Sequence, residues 1–244
     1  VGRNRDPNVI WHEEAQKWIM SLFLDNQEFA IFNSKNLFDW KLTDRIKIPA
    51  NDCPDLFQLN LDGDPKNRKW IFWGGNGNYV VGSFDGEKFD IEGEVHRTHF
   101  GTYHAAMTYN NAPDNRIVQI GWLNTQKTSK PTTNFNQQLS ISNELLLKTT
   151  PKGYAALYSY PIKELEKLRE KSFHEKNISL GKKIYKPDFK AELIDLNLIA
   201  NVNRGGLLTV NIRGEKILYD RDKNTVFYNG DVAEIINQKD IKSY

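Results

Sequence analysis

Two short acidic stretches carry the residue types that could do chemistry in this chain. The first is Arg-Asp-Pro at 5–7, and the second is Asp-Cys-Pro-Asp at 52–55. Two carboxylates that converge in a concave site are typical of glycoside hydrolysis, where one donates a proton and another acts as nucleophile or stabilises charge. An adjacent arginine is always charged and fork-shaped, and so suits holding hydroxyls or a carboxylate. Asp before Pro is also ordinary turn chemistry, so this interpretation requires a fold that brings the two stretches together.

The elements that would position these stretches repeat about every 50 residues. The segment at 16–24 is echoed at 68–76, and more faintly at 115–123. Each follows another apolar run, and these runs lie at 6–14, 53–61 and 103–111. In the first two units a third and a fourth run follow, separated by turn residues such as GNGN and FDGEK. Four short strands per unit are typical of a β-propeller blade.

A propeller would bring the acids together, because the innermost strand of each blade lines the central channel. Asp6 and Asp52 hold equivalent positions at the start of two such strands and would face one another. The turn interpretation loses weight when the same kind of position carries an acid in two repeats. Only about three blades are visible, whereas a propeller typically closes with four to eight. We expect missing blades, in preference to blades from a partner chain or repeats that stay open.

The pattern changes after residue 154. Ile162, Leu165 and Leu168 are spaced by three with charges between them, which predicts a short amphipathic helix. Beyond it, four segments alternate apolar and polar residues as strands of an antiparallel sandwich do, at 191–201, 206–214, 216–222 and 224–230. Four or five strands cannot cover both faces of a sandwich, so this domain is also expected to be incomplete.

The predicted fold class is therefore all-β, a partial propeller of about three blades followed by part of a β-sandwich. The predicted domains are incomplete propeller at 1–158, a helical linker at 159–175 and incomplete sandwich at 176–244.

Composition restricts the partners that the chain could have. Hydrophobic residues make up 39% and aromatic residues 12%, which is typical of a globular protein. The 33 basic and 31 acidic side chains give a net charge of +2. This near balance lacks the excess of positive charge that binding to nucleic acid or an anionic membrane would favour. A single cysteine excludes an intrachain disulfide and disfavours a thiolate metal site. No cofactor is predicted; the compartment and oligomeric state are left open, with an extracellular or periplasmic location slightly favoured.

Four stretches, at 2–14, 52–86, 103–122 and 135–153, carry a closer resemblance. In order and in spacing they resemble the motifs of glycoside hydrolase family 32, the levanases, inulinases and invertases. The resemblance extends from residue 2 to about residue 170 and more loosely through the strands that follow. It implies a five-bladed propeller followed by a β-sandwich. It also implies a carbohydrate substrate, sucrose or a levan- or inulin-type fructan, hydrolysed with retention through a covalent fructosyl-enzyme.

The resemblance also implies roles for particular residues. The family's third-blade Arg-Asp-Pro motif has an Asp that binds fructose hydroxyls and stabilises the transition state, and this role falls to Asp6, with Arg5 beside it. The family's fourth-blade Glu-Cys-Pro-Asp motif has a Glu that is the general acid/base, and this role falls to Asp52. Arg5, Cys53 and Asp55 become candidates for contact with substrate.

The sequence departs from the family pattern at two points. Asp52 is one methylene shorter than Glu, which sets the donor oxygen back, and a displacement of about 1 Å can cost about a hundredfold in rate. The Trp-Met-Asn-Asp-Pro-Asn-Gly stretch that carries the family's nucleophile does not occur in the sequence. RNRDPNV at 3–9 echoes it but continues as the third-blade motif.

We therefore expect a fragment without the first two blades, inactive by itself. The alternatives are a non-catalytic fructan-binding or structural remnant, and an arabinanase-like propeller, which would not be expected to carry Cys-Pro-Asp.

Other residues of interest lie at the start of the third unit. Tyr103 is a candidate for stacking on a sugar, with ordinary burial as the alternative. His96, His99 and His104 lie within nine residues. No carboxylate cluster accompanies them, and strands and turns would scatter them, so no metal site is predicted.

Overall fold

Four antiparallel sheets follow one another along the chain in the computed structural model, which describes residues 4–124, 137–181 and 183–235. The first two sheets are simple meanders, each of four neighbouring strands. The strands of the first sheet are β1 (Arg5–His12), β2 (Lys17–Phe23), β3 (Glu28–Ser34) and β4 (Lys41–Lys47). Those of the second are β5 (Asp55–Asn60), β6 (Arg68–Trp73), β7 (Asn78–Phe84) and β8 (Phe89–Arg97). These eight strands confirm the four-strand repeat expected from the sequence.

The third sheet has the same plan with one interrupted strand. Its strands are β9 (Tyr103–Thr108), β10 (Ile117–Leu123), β11 (Gln138–Leu139), β12 (Asn143–Thr149) and β13 (Ala155–Pro161). A single 3₁₀ turn, Pro113–Asn115, connects β9 to β10. β9 pairs with one edge of β10, while β11 and β12 pair with two ends of the other edge. The sheet is therefore a third blade whose third strand is divided.

Packing between the sheets follows from the alternation of side chains along β6. Trp70 and Phe72 face the first sheet, in a cluster with Phe29. Ile71 and Trp73 face the third sheet, in a cluster that includes residues of β12. Because side chains of a strand point alternately to its two faces, one strand of large apolar residues fills both interfaces. The sheets stack face to face, and β5 contacts both β1 and β9.

The short helix predicted after the third sheet is of the 3₁₀ type. Residues Lys163–Leu168 form a 3₁₀ helix. The physical reason is in the spacing itself, since apolar residues three apart match a 3₁₀ helix of 3.0 residues per turn better than an α-helix of 3.6. Arg116, near the start of β10, binds this turn through two hydrogen bonds to the Glu164 carboxylate, of 3.2 and 2.7 Å.

The last sheet contains three of the four strands expected beyond residue 190. It is a meander of β14 (Leu207–Ile212), β15 (Glu215–Asp220), β16 (Thr225–Tyr228) and β17 (Asp231–Glu234). The strand predicted at 191–201 is wrong, since this segment has no ladder partner among the described residues. Leu193 and Ile199 are 90% and 73% exposed there. The all-β prediction is confirmed, while the predicted domain boundaries stay a prediction.

Neither 3₁₀ segment in the described parts of the chain has the length and apolar character needed to cross a membrane.

Truncation of one buried side chain at the interface between the first two sheets tests the stacked arrangement. Phe72 is fully buried and lies 5.2 Å from the ring of Phe29, centroid to centroid. Phe72→Ala should lower the free energy of unfolding by about 3–5 kcal/mol, because it leaves a cavity at the interface. Phe38→Ala is the control, since Phe38 is 87% exposed and its loss should cost less than about 0.5 kcal/mol. Urea denaturation measures both, and equal effects would contradict the packing described.

Candidate active site

Strained backbone marks the start of the innermost strands of the first two sheets. Asp6 has a φ of 57° and lies in a bulge of β1, between Arg5 opposite Phe23 and Asn8 opposite Ser21. Asp52 and Cys53, just before β5, have φ values of 49° and 39°. Left-handed conformations of non-glycine residues cost of order 1–3 kcal/mol and concentrate at functional sites, where the surrounding structure holds them.

The guanidinium of Arg5 joins the two candidate acids. Its Nη2 donates to Oδ1 of Asp52, and its Nε lies 3.9 Å from Oδ2 of Asp6. The same guanidinium lies 4.6 Å above the ring of Phe23, which orients it through a cation–π contact. The side chains of Asp6 and Asp52 are 36% and 24% exposed, so both can reach a bound molecule. The structure thus brings together the two stretches at 5–7 and 52–55.

Cys53 contacts the first acid directly. Its backbone N–H donates to Oδ2 of Asp6 at 3.1 Å, and its thiol donates to the same oxygen at 3.6 Å. Burial raises the pKa of Cys53 to about 12, and the negative charges of Asp6 and Asp52 add to the effect. A thiol with this pKa stays protonated at neutral pH, so it serves as a hydrogen-bond donor and not as a nucleophile.

Asp55 lies three residues further on and is 1% exposed. Its Oδ2 accepts the N–H of Thr108 at 2.8 Å, and its Oδ1 accepts the Thr108 hydroxyl at 3.3 Å. The same Oδ1 accepts the side-chain amide of Asn8 at 3.4 Å. Burial raises the pKa of Asp55 to about 6, although the Thr108 hydrogen bonds act in the opposite direction.

Gly75 holds the backbone beside Asp52. Its N–H donates to the carbonyls of Asn51 and Asp52, at 2.7 and 3.0 Å, and its carbonyl accepts the N–H of Ala105 at 2.8 Å. A Cβ at this position would lie 2.9 Å from the oxygen of Asn51, so glycine is required by the close approach of the chains. The sequence indicated only turn residues at 75–78, and nothing in it pointed to this contact.

Tyr103 lies at the start of β9, in the third sheet. Its ring stacks on that of His99, with centroids 3.8 Å apart, and packs against the backbone of Gly121. Its hydroxyl donates to Oε1 of Gln119 at 3.3 Å. Burial lowers the pKa of His99 to about 4, so this ring is neutral at pH 7. The sequence missed His99 as a partner of Tyr103, and stacking of Tyr103 on a sugar stays a prediction.

The three histidines near the start of the third sheet have separate surroundings. The ring of His96 stacks on Tyr154 at 5.0 Å, and that of His104 lies 6.1 Å from Trp122, centroid to centroid. Among the residues that the structure describes, no group of three His, Cys, Asp or Glu side chains could hold a metal ion.

Comparison with known protein families places most of the chain in one family. The model of the glycosyl hydrolases family 32 N-terminal domain matches residues 2–161. The chain belongs to glycoside hydrolase family 32. It is 32% identical over 201 residues to a levanase of Bacillus subtilis (strain 168), a match that covers 72% of this chain and 29% of the levanase. It is 32% identical over 175 residues to the extracellular exo-inulinase inuE of Aspergillus niger, with coverage of 59% and 32%.

Solved structures of this family share the fold. The exo-inulinase from Aspergillus awamori matches 96% of this family 32 chain with a TM-score of 0.64 and 23% identity. A fructofuranosidase from Schwanniomyces occidentalis, complexed with fructose, matches the same share with a TM-score of 0.70 and 21% identity. These neighbours combine a β-propeller with a β-sandwich, which confirms the predicted fold class. The chain spans about half the length of both solved chains and about a third of the curated relatives.

The raised pKa of Asp55 gives a test by pH. Because the pKa of about 6 in the folded chain exceeds its usual 3.8, the stability that this group contributes is fully present below about pH 3.8. It is lost as the pH rises through 6, by about 3 kcal/mol for a shift of this size.

Asp55→Asn removes this titration. The unfolding free energy of the unsubstituted chain should therefore fall relative to that of the variant between pH 4 and pH 7. Urea denaturation of both at each pH measures the difference. A difference that does not change with pH would show that Asp55 titrates normally.

Proposed function

We propose that this chain carries part of the active site of a retaining β-fructofuranosidase, with Asp52 as general acid/base and Asp6 as stabiliser of the transition state. The observation that carries the proposal is the contact of one guanidinium, that of Arg5, with both carboxylates at the start of neighbouring innermost strands. Membership of family 32 supports it, and so do the roles that the family assigns to the matching positions.

Asp52 would act in both halves of the reaction. In its protonated form it gives its proton to the glycosidic oxygen as the bond to C2 of the fructosyl unit breaks. In the second half its carboxylate takes a proton from water as that water attacks C2 and releases fructose. Arg5 and Gly75 hold this residue from two sides, through its side chain and its backbone carbonyl.

Asp6 would bind the sugar and stabilise charge. Its Oδ2 already receives hydrogen bonds from the backbone N–H and the thiol of Cys53, which fix the carboxylate. The other oxygen is then directed to the hydroxyls of a fructosyl ring. A fixed negative charge also stabilises the oxocarbenium-like transition state, because it needs no reorganisation as positive charge develops.

The nucleophile that forms the fructosyl-enzyme has no counterpart among these 244 residues, since the family's Trp-Met-Asn-Asp-Pro-Asn-Gly stretch does not occur in them. The proposal assigns that step to another part of the complete protein. The same observation favours a second candidate, a fructan-binding remnant without catalysis. For both candidates the substrate class is a β-fructoside, sucrose or a levan- or inulin-type fructan. The levanase, the exo-inulinase and the fructose-bound fructofuranosidase that the chain resembles support this class.

The leaving group distinguishes an acid catalyst from other roles. In the complete protein, Asp52→Asn should lower kcat on sucrose by about 10²–10⁴-fold, because the departing sugar needs a proton. An aryl β-fructofuranoside with a nitrophenolate leaving group needs none, so fructosylation of the enzyme should be nearly unchanged in single-turnover kinetics. Asp90→Asn is the control, since Asp90 is an exposed residue of β8 that pairs with Lys88.

Equal loss of both reactions in the Asp52 variant would refute Asp52 as the acid. A complete protein that binds fructan but releases no fructose from either substrate would support the remnant instead.

A further inference from the structure

The same hydrogen-bond pattern occurs twice between the second and third sheets. At the inner end, Asp55 accepts the backbone N–H and the hydroxyl of Thr108. Two residues beyond the other end of β5, in a turn, Asp62 accepts the backbone N–H of Thr149 at 2.8 Å and its hydroxyl at 2.6 Å. In both cases an Asp carboxylate, one at the start of β5 and one in the turn after it, receives two donors from one Thr of the third sheet. We call these two groups of hydrogen bonds the inner clasp, of Asp55 with Thr108, and the outer clasp, of Asp62 with Thr149. They differ in their position relative to the candidate acids.

Only the inner clasp extends to the first sheet. Oδ1 of Asp55 also accepts the side-chain amide of Asn8 at 3.4 Å. Asn8 is two residues from Asp6 in β1, and Asp55 is three residues from Asp52. One carboxylate therefore joins the innermost strands β1, β5 and β9, close to both candidate acids. Asp62, in contrast, is exposed, and within residues 4–124, 137–181 and 183–235 its side chain accepts hydrogen bonds from the third sheet alone, at Thr149.

The relative position of β1 and β5 depends on side chains, because these two strands belong to different sheets and share no ladder. The Asp55–Asn8 hydrogen bond acts alongside the contact of Arg5 with Asp52 and that of Asp6 with the Cys53 amide. Of the three accepting carboxylates, that of Asp55 is the most buried. Hydrogen bonds to a buried charge are costly to remove, because their loss leaves buried donors without an acceptor.

We infer that Asp55 is a positioning residue, whose carboxylate sets the distance between the strands that carry Asp6 and Asp52. This differs from the contact with substrate predicted for Asp55 from the family resemblance, since its two oxygens are occupied by Asn8 and Thr108 and the residue is buried. The effect of Asp55 on catalysis rests on the proposed function. The effect of Asp55 on the distance between the two strands does not depend on that function.

The test compares Asp55→Asn with Asp62→Asn in the complete protein. Each change keeps the shape of the side chain but replaces one acceptor oxygen with an NH₂ group that faces donors. For Asp55→Asn we expect kcat on sucrose to fall by about tenfold or more, since small displacements of reacting groups are costly. KM should change by less than about threefold, because direct substrate contacts are kept. Asp62→Asn should leave kcat within about twofold of the unsubstituted protein.

Amide hydrogen exchange gives a readout that needs no activity. Asp55→Asn should accelerate exchange of the Thr108 amide and also of the Cys53 amide, which donates to Asp6 across the two strands. Asp62→Asn should accelerate exchange of Thr149 and leave Cys53 unchanged.

The inference is overturned if Asp55→Asn leaves the Cys53 amide and kcat unchanged, or if Asp62→Asn lowers kcat as much. If the unsubstituted protein itself releases no fructose, the proposed function fails, and the Cys53 amide alone decides the inference.

Discussion

The second sheet is buried on both faces, and the arrangement of the other sheets depends on this constraint. Its strand β6 places Trp70 and Phe72 against the first sheet and Ile71 and Trp73 against the third. Two apolar faces can be removed from water only if a neighbouring sheet covers each of them. The three sheets therefore stack. The first strand of the second sheet, β5, then lies between the first strands of the other two sheets, β1 and β9. The convergence of Asp6 and Asp52 is a consequence of this packing.

Apolar packing alone would leave the acids loosely placed, because face-to-face contacts permit sliding. Polar links at the start of β1, β5 and β9 remove that freedom. The guanidinium of Arg5, the Cys53 amide and the backbone of Gly75 each connect neighbouring strands at defined atoms. These contacts also hold Asp6, Asp52 and Cys53 in left-handed conformations. Strain of this kind persists only where the surrounding structure fixes the backbone, as it does here.

The parts of this structure that depend on local pattern could be predicted from the sequence. The four-strand repeat and the equivalence of Asp6 and Asp52 follow from alternation and spacing, which a strand shows without knowledge of its partners. The strand prediction that was wrong concerns a segment that depends on distant partners. The segment at 191–201 has the alternation of a strand but pairs with no strand among the described residues. The spacing of three at 162–168 predicted a short helix without specifying its type, which is 3₁₀.

Three further residues contribute to the site but could not be recognised from the sequence, because their roles depend on which residues they contact. Gly75 is required by its approach to Asn51, Thr108 by its hydrogen bonds to Asp55, and His99 by its stacking on Tyr103. The contacts of Gly75 and Thr108 join segments that are distant in the sequence, and the turn between His99 and Tyr103 has no periodicity that would show that their rings meet.

The central claim is that Asp6 and Asp52 act on the same fructosyl unit. A crystal structure of the complete protein with Asp52→Asn, soaked with sucrose or a short fructan, tests it most directly. The expected structure has fructosyl hydroxyls within about 3 Å of the Asp6 carboxylate and the glycosidic oxygen within about 3 Å of the side chain at position 52, the distances that hydrogen bonding and proton transfer need. A sugar bound with its fructosyl ring away from either residue would contradict the claim.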